Sequence, residues 1–263
     1  MKKQRVLVWF SCGVTSAIAA KLALQKYAGD TFDVRVCYCD TGSEHKDNAR
    51  FFREVQAWLG VEIVVLKSDK YKNVDAVIEG ERFIVGQNGA PCTKFLKRLP
   101  RIAYQDPDDI HVFGFDTEDE GKDRVKDWVY NNPELTCDFP LLHHKLSKGE
   151  CLELCRKVGI EPPITYAMGY KHANCIECVK GGMGYWNKVR VDFPKVFARR
   201  ARQERKLNHA ILKDDDGPVF LDELDPKRGR YEDEPEIACG LFCGEVMQRL
   251  GITNDKSSDE RKV

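Results

Sequence analysis

The sequence predicts an α/β fold, a doubly wound and mostly parallel sheet with a helical, cysteine-rich C-terminal part. Two observations predict it. Short Val- and Ile-rich runs alternate through the first half with segments whose apolar residues recur every three to four positions. After about residue 137 the strand patterns thin out, and most of the grouped cysteines lie there. Strands separated by helices of this length imply a parallel sheet covered on both faces.

The elements follow in order. "RVLVWFS" reads as a buried strand, and "TSAIAAKLALQKYA" as the helix after it. "FDVRVCYCDTG" is a second strand, "HKDNARFFREVQAWLG" a second helix, "VEIVVLKS" a third strand, and "DIHVFGFD" at 109–116 a further one. In such folds ligands bind beyond the carboxyl ends of the strands, near the switch in strand order. Ser11–Ser16, Asp40–Glu44 and Asp116–Arg124 are therefore the segments to watch.

Composition narrows the classes. The 263-residue chain can bury a sizeable core. Its 42 basic and 42 acidic side chains cancel, which argues against a globally basic nucleic-acid binder. No apolar run approaches the roughly 20 residues of a membrane span. The basic N-terminus precedes too short an apolar stretch for a leader, so a soluble cytoplasmic protein is expected. Eleven cysteines, an odd count, point to metal, cluster or redox chemistry rather than a disulfide framework. Cys37 and Cys39 alternate in a strand-like run and read as small core hydrophobes. Cys151 and Cys155, four apart in a helix-like segment, read the same way.

In "SCGVTS", residues 11–16, a small residue follows the strand and a helix starts at once. Amides at such a turn, with the positive end of the helix, bind phosphate oxygens. The hydroxyls of Ser11, Thr15 and Ser16 can add donors; alternatively, Thr15 and Ser16 merely cap the helix. The loop resembles the "SGGxDS" phosphate loop (PP-loop) of the adenine nucleotide alpha hydrolase superfamily. That group includes ATP pyrophosphatases, tRNA thiolation enzymes and the phosphoadenylyl-sulfate and adenylyl-sulfate reductases. Cys12 stands where the family has glycine, and Thr15 where it has aspartate. "CYCDTGSEHKDNARFF", "PCTKFLKRLP", "GFDTEDEGKDR" and "FPLLHHKLSKGECLELCRKVGIEPPITYAMGYKHANCIEC" are similar to successive blocks of the reductases. The resemblance implies nucleotide contacts from Ser11, Cys12, Gly13, Val14, Thr15 and Ser16, and from the Asp40-Thr41-Gly42 turn, with base-side contacts on the helix after that turn. The change of pattern along the chain divides it into a nucleotide-binding domain at 1–136, a helical, cysteine-rich part at 137–250 and a flexible tail at 251–263.

"NCIEC" supplies Cys175 and Cys178, a pair spaced to bind one metal or cluster. Cys92 lies upstream, and Cys239 and Cys243 lie in "ACGLFCG". Three readings stay open. Cys92, Cys175, Cys178 and Cys243 hold a four-iron, four-sulfur cluster and Cys239 is the nucleophile; or three cysteines hold a cluster with an exposed iron; or Cys175, Cys178, Cys239 and Cys243 form a structural zinc site. The resemblance favours the first. A nucleophilic Cys239 needs nearby positive charge, for which Arg124 and Lys171 are candidates.

Three functions are weighed. The leading one is reduction of adenylyl sulfate or its 3′-phosphate to sulfite through a cysteine S-sulfonate, with a dithiol reductant such as thioredoxin as partner. The runner-up is ATP-dependent sulfur insertion into a nucleic acid, for which the basic segment "KVFARRARQERK" offers a phosphate-tracking helix. The third is a zinc-stabilised nucleotide-binding regulator without turnover. Glycines in "GGMGYWNK" are read as letting backbone approach a cluster or ligand, and Tyr185 and Trp186 as core or base-stacking residues.

Overall fold

The computed structural model describes residues 3–86, 89–121, 123–234 and 237. Along the first strand, β1 (Gln4–Trp9), successive side chains alternate between two apolar clusters: Val6 and Val8 on one face, Leu7 and Trp9 on the other. A strand buried on both faces needs apolar residues at every position, which "VLVW" supplies. β1 accordingly sits at the centre of the sheet. Its neighbours are β2 (Phe32–Cys39), β3 (Ile63–Leu66), β4 (Ile110–Val112) and β5 (Thr136–Asp138), in the order β3-β2-β1-β4-β5 with every pairing parallel. The chain winds one way from β1 and then crosses to its other side at β4. The crevice at that reversal is where such sheets bind ligands.

The helix α1 (Val14–Lys26) leaves β1 directly. Its Ala17, Ala19, Ala20 and Ala23 are buried, so the helix lies close against the sheet on one side and against the helix Lys148–Lys157 on the other. Cys151 and Cys155 of that helix enter the same core, and Cys37 and Cys39 enter the core on the opposite face of the sheet. Burial raises the Cys37, Cys39 and Cys151 thiols to about 12, so all three stay protonated and behave as small apolar groups. Because β5, Leu141, Cys151, Cys155 and Ile160 belong to this layered unit, its packing continues past residue 136. The second helix, α2 (Asn48–Leu59), buries Phe51, Val55 and Leu59 and stops at Gly60, whose φ of +73° closes the last turn.

The segment from about 170 to 231 gathers around Tyr185, Trp186, Val189, Phe197 and Leu221. It holds the helices Met183–Asp192 and Pro194–Leu207 and a short antiparallel hairpin, β6 (Leu212–Asp214) with β7 (Gly217–Val219). One expectation is corrected here. The "GGMGYWNK" glycines admit protein groups: Gly181 faces the Tyr185 ring, Gly182 the Glu234 carboxylate and Gly184 the backbone at Arg230. In the basic helix three of six cations are paired within the chain, while Lys195, Arg202 and Lys206 are exposed. Arg199 and the fully buried Arg200 pair with Asp75 and Glu177, and Arg205 pairs with Asp222 and Glu223. Tyr185 and Trp186 are both core residues. Among the described residues no helix is long and apolar enough to cross a membrane.

Candidate nucleotide cleft and cysteine segment

The turn between β1 and α1 is wired by Ser16. Its Oγ accepts the Ser11 amide at 3.0 Å, meets Ser11 Oγ at 3.2 Å and donates to the Gly13 carbonyl at 2.9 Å. Ser16 therefore does not cap the helix; it fixes the loop in shape before any ligand arrives. The Gly13 side of the helix start has no side-chain cap, so its amides are left to solvent or a ligand. Cys12 adopts φ of +60°, a conformation glycine takes without penalty. Its buried thiol donates to the Asn48 carbonyl at 3.3 Å, and burial raises its pKa well above the ordinary thiol value. It is an anchor, not a reactive group. Gly114, just past β4, packs on the same turn: a Cβ there would stand 2.8 Å from Ser16 N and Cα. Only a residue without a side chain fits that approach.

A cleft of about 200 Å³ opens over this loop. On the β2 side its wall is Cys37, Tyr38, Cys39, Glu44 and Lys97; on the β4 side it is Phe113, Phe115, Asp116, Asp119, Arg124 and Trp128. Glu44 Oε2 accepts from Tyr38 OH at 2.7 Å and from Asn48 Nδ2 at 3.1 Å. Burial raises the Glu44 pKa against the opposing pull of Lys97 and these hydrogen bonds. On the other side, Asp116 Oδ1 accepts the amides of Glu118 and Asp119, and Arg124 is paired with Asp119.

The cysteine segment meets the cleft on the β2 side. His172, Ala173 and Asn174, immediately before the Cys175–Cys178 pair, line the cleft wall. Asn48 Nδ2 also donates to the Ala173 carbonyl at 3.0 Å, and Thr41 Oγ1 lies 3.2 Å from Cys175 Sγ. The turn that carries the pair is wrapped around the buried Tyr185 hydroxyl. That hydroxyl accepts the Cys178 amide at 3.1 Å and reaches the carbonyls of Cys175 and Ile176. Cys92 and Cys175 sit against one apolar cluster. Thiol donors of this kind suit iron or zinc. Among the described residues, however, no group of three or more His, Cys, Asp or Glu side chains gathers as a metal site.

Of the residues singled out in the sequence, the cleft brings together Ser11, Gly13, Thr15, Ser16 and Arg124. Cys12 and Val14 are buried behind the loop. Asp40 pairs with Lys67 and accepts the Gly42 amide, Thr41 turns to Cys175, and Gly42 packs on the Lys72 carbonyl, so that turn does not line the cleft. The Lys171 ammonium donates to the carbonyls of Glu232 and Glu234. Cys239 and Cys243 lie outside the described residues. Sequence reasoning missed Lys97, Trp128 and Lys148 as lining residues. Each reaches the cleft from a helix distant in sequence from the loop; Lys97 lies in "PCTKFLKRLP" and Lys148 in "KLSKGECLELC", but nothing in those segments singles them out.

No family model matches the chain, and no curated protein sequence matches it. Among solved structures, the chain is similar to phosphoadenylyl-sulfate (PAPS) reductase from Candida auris in a phosphate complex. The similarity is at 11% identity with a TM-score of 0.48, covering 66% of this chain and 82% of that one.

Proposed function

We propose that the chain binds an adenine nucleotide over the Ser11–Ser16 loop and reduces adenylyl sulfate, or its 3′-phosphate, to sulfite. The observation that carries this reading is the contact between two sites. The wall of a preformed phosphate-loop cleft is the segment that leads into Cys175 and Cys178, tied to it by the Thr41–Cys175 and Asn48–Ala173 contacts.

Loop amides at the start of α1 hold the phosphate, and Lys97, Arg124 and Lys148 supply positive charge in the same cleft. In the reaction a cysteine thiolate, assigned to Cys239 from the resemblance, attacks the sulfur. The sulfur–oxygen bond to the nucleotide breaks, and AMP or its 3′-phosphate leaves with the electron pair. A dithiol then attacks the cysteine S-sulfonate; sulfite departs, and the dithiol is oxidised to a disulfide. Cys92, Cys175, Cys178 and Cys243 belong to this reading as thiolate ligands of an iron–sulfur cluster, with zinc as the other candidate. When bound, such a group would cross-link the segments that carry these cysteines and hold the Cys175–Cys178 segment in place. Pairing of Arg199, Arg200 and Arg205 within the chain lessens, without removing, the support that the basic helix lends to nucleic-acid thiolation.

The test is product analysis of anaerobically purified protein given adenylyl sulfate, its 3′-phosphate or ATP, with a dithiol. Sulfite and the matching nucleotide, lost on Cys239→Ser, are expected. AMP or pyrophosphate from ATP alone would overturn the reductase reading in favour of the sulfur-insertion alternative, and no turnover of any of the three would leave a nucleotide-binding regulator.

A further inference from the structure

The turn that carries Cys175 and Cys178 has a buried charge at its bend. Residues 176 and 177 form that bend, and such corners ordinarily face water. The Glu177 side chain is instead 5% exposed. Its Oε2 lies 2.5 Å from Arg199 Nη2 and 2.9 Å from Arg200 Nη2. Arg200, fully buried, also meets Asp75 Oδ1 at 3.2 Å, and Arg199 Nε meets Asp75 Oδ2 at 2.9 Å. Two guanidiniums and two carboxylates thus close a charge-balanced cluster, with Arg199 at its solvent edge.

Such a cluster contributes little net stability, because desolvating its charges offsets most of their attraction. It does fix geometry, since its members come from three elements. Glu177 belongs to the cysteine turn, Asp75 to the first turn of the helix Val74–Glu81, and both arginines to the helix Pro194–Leu207. The helix Val74–Glu81 is itself tied to the loop after β2, where Ser43 Oγ accepts the Val74 amide at 3.1 Å. Its Val74, Val77 and Ile78 form part of the apolar cluster shared by Cys92 and Cys175. The cysteine turn is therefore held at its backbone by Tyr185, at the Cys175 thiol by Thr41, and at its bend by two guanidiniums.

We propose that Glu177 is a positioning residue for the Cys175–Cys178 pair. Its charge contacts hold the turn in the shape that lets both thiols bind one soft metal ion. The protein thereby prepares the turn before any metal arrives, as outer-shell residues do when they orient ligands. This rests on the ligand reading of the two cysteines under the proposed function and is independent of which nucleotide the cleft takes.

The experiment titrates reduced full-length protein with Cd²⁺ and follows the thiolate–cadmium absorbance. The part of the signal lost in Cys175→Ser/Cys178→Ser reports the pair. Glu177→Gln should weaken Cd²⁺ binding by the pair about ten- to a hundred-fold, the scale of an outer-shell substitution. Asp75→Asn damages the same cluster from its far side. It should lower the melting temperature yet change Cd²⁺ affinity by less than about two-fold. Glu177→Met/Arg200→Met replaces the buried pair by apolar side chains and should keep the fold, while Cd²⁺ affinity stays at least about ten-fold weaker than in wild type. Wild-type affinity in Glu177→Gln, an equal loss in Asp75→Asn, or recovery in the double variant would overturn the proposal by showing a merely structural cluster. No Cys175- and Cys178-dependent signal in wild type would overturn the ligand reading and this inference together. AMP binding by the same protein tests the nucleotide reading separately.

Discussion

In the sheet-bearing half, the backbone is satisfied by five parallel strands, and the core is a run of Val, Leu, Ala and Phe side chains. Between about 170 and 231 the ladder is a single short hairpin, and polar side chains take over its task. Glu204, fully buried, accepts the Ile211 amide at 2.6 Å and the Leu221 amide at 2.7 Å. Arg190 donates to the carbonyls of Leu221 and Leu224, Asn187 to those of Asp225 and Arg228, and Arg200 closes a charge cluster with Asp75 and Glu177. The difference shows what a chain does where regular structure is sparse. Buried amides and carbonyls still need partners, so side chains that would be solvated elsewhere become internal staples.

That contrast predicts where each half breaks. Glu204→Ala strands two buried amides and is expected to destabilise the protein by about 3 kcal/mol, each orphaned group costing about 1–3. Thermal melting of the variant checks this, and a loss below about 0.5 kcal/mol would show that the segment does not depend on its buried carboxylate.

One polar staple of the sheet half is sensitive to pH. Trp9 Nε1, a donor only, bonds His111 Nδ1 at 3.1 Å, so His111 must be neutral there. Burial, helped by Arg101, lowers its pKa from 6.5 to about 4. Below pH 6.5 the unfolded chain takes up this proton before the folded one does. Stability should therefore fall between pH 6.5 and 4, by up to about 3 kcal/mol from this group. Denaturant midpoints measured across that range should flatten in His111→Gln; an unchanged slope would place the pH dependence elsewhere.

A smaller effect on stability but a sharper one on the site is expected of Gly114→Ala. The new methyl would meet backbone atoms of Thr15 and Ser16. Overpacking of this kind costs about 1–3 kcal/mol and here would displace the phosphate loop. AMP binding, measured by calorimetry, should be lost well before the fold is. If binding survives, the loop is not held from β4.

Much of this was legible in the sequence, for physical reasons. The alternation of short apolar runs with helical periods located β1 to β4, α1 and α2, because both signals are local. The strand Thr136–Asp138 escaped, being three residues long with one buried position. The pairing of Arg199, Arg200 and Arg205 was not legible because their partners, Asp75, Glu177, Asp222 and Glu223, come from distant or separate segments. At the cleft, Ser11, Gly13, Thr15 and Ser16 were marked in advance by a strand-to-helix turn, which is a local signal. Trp128 and Lys97 were not, since helix residues enter a cleft through tertiary packing alone.

The most direct test of the account traps the protein between the two half-reactions proposed for it. Full-length protein, reduced and freed of dithiol, is given adenylyl sulfate carrying radioactive sulfur and then digested for peptide mapping. The account predicts sulfur bound covalently to the peptide containing Cys239, with AMP released in equal amount, and neither in Gly114→Ala. AMP-competable binding without any protein-bound sulfur would contradict the reductase, leaving the cleft as a nucleotide site that performs other work.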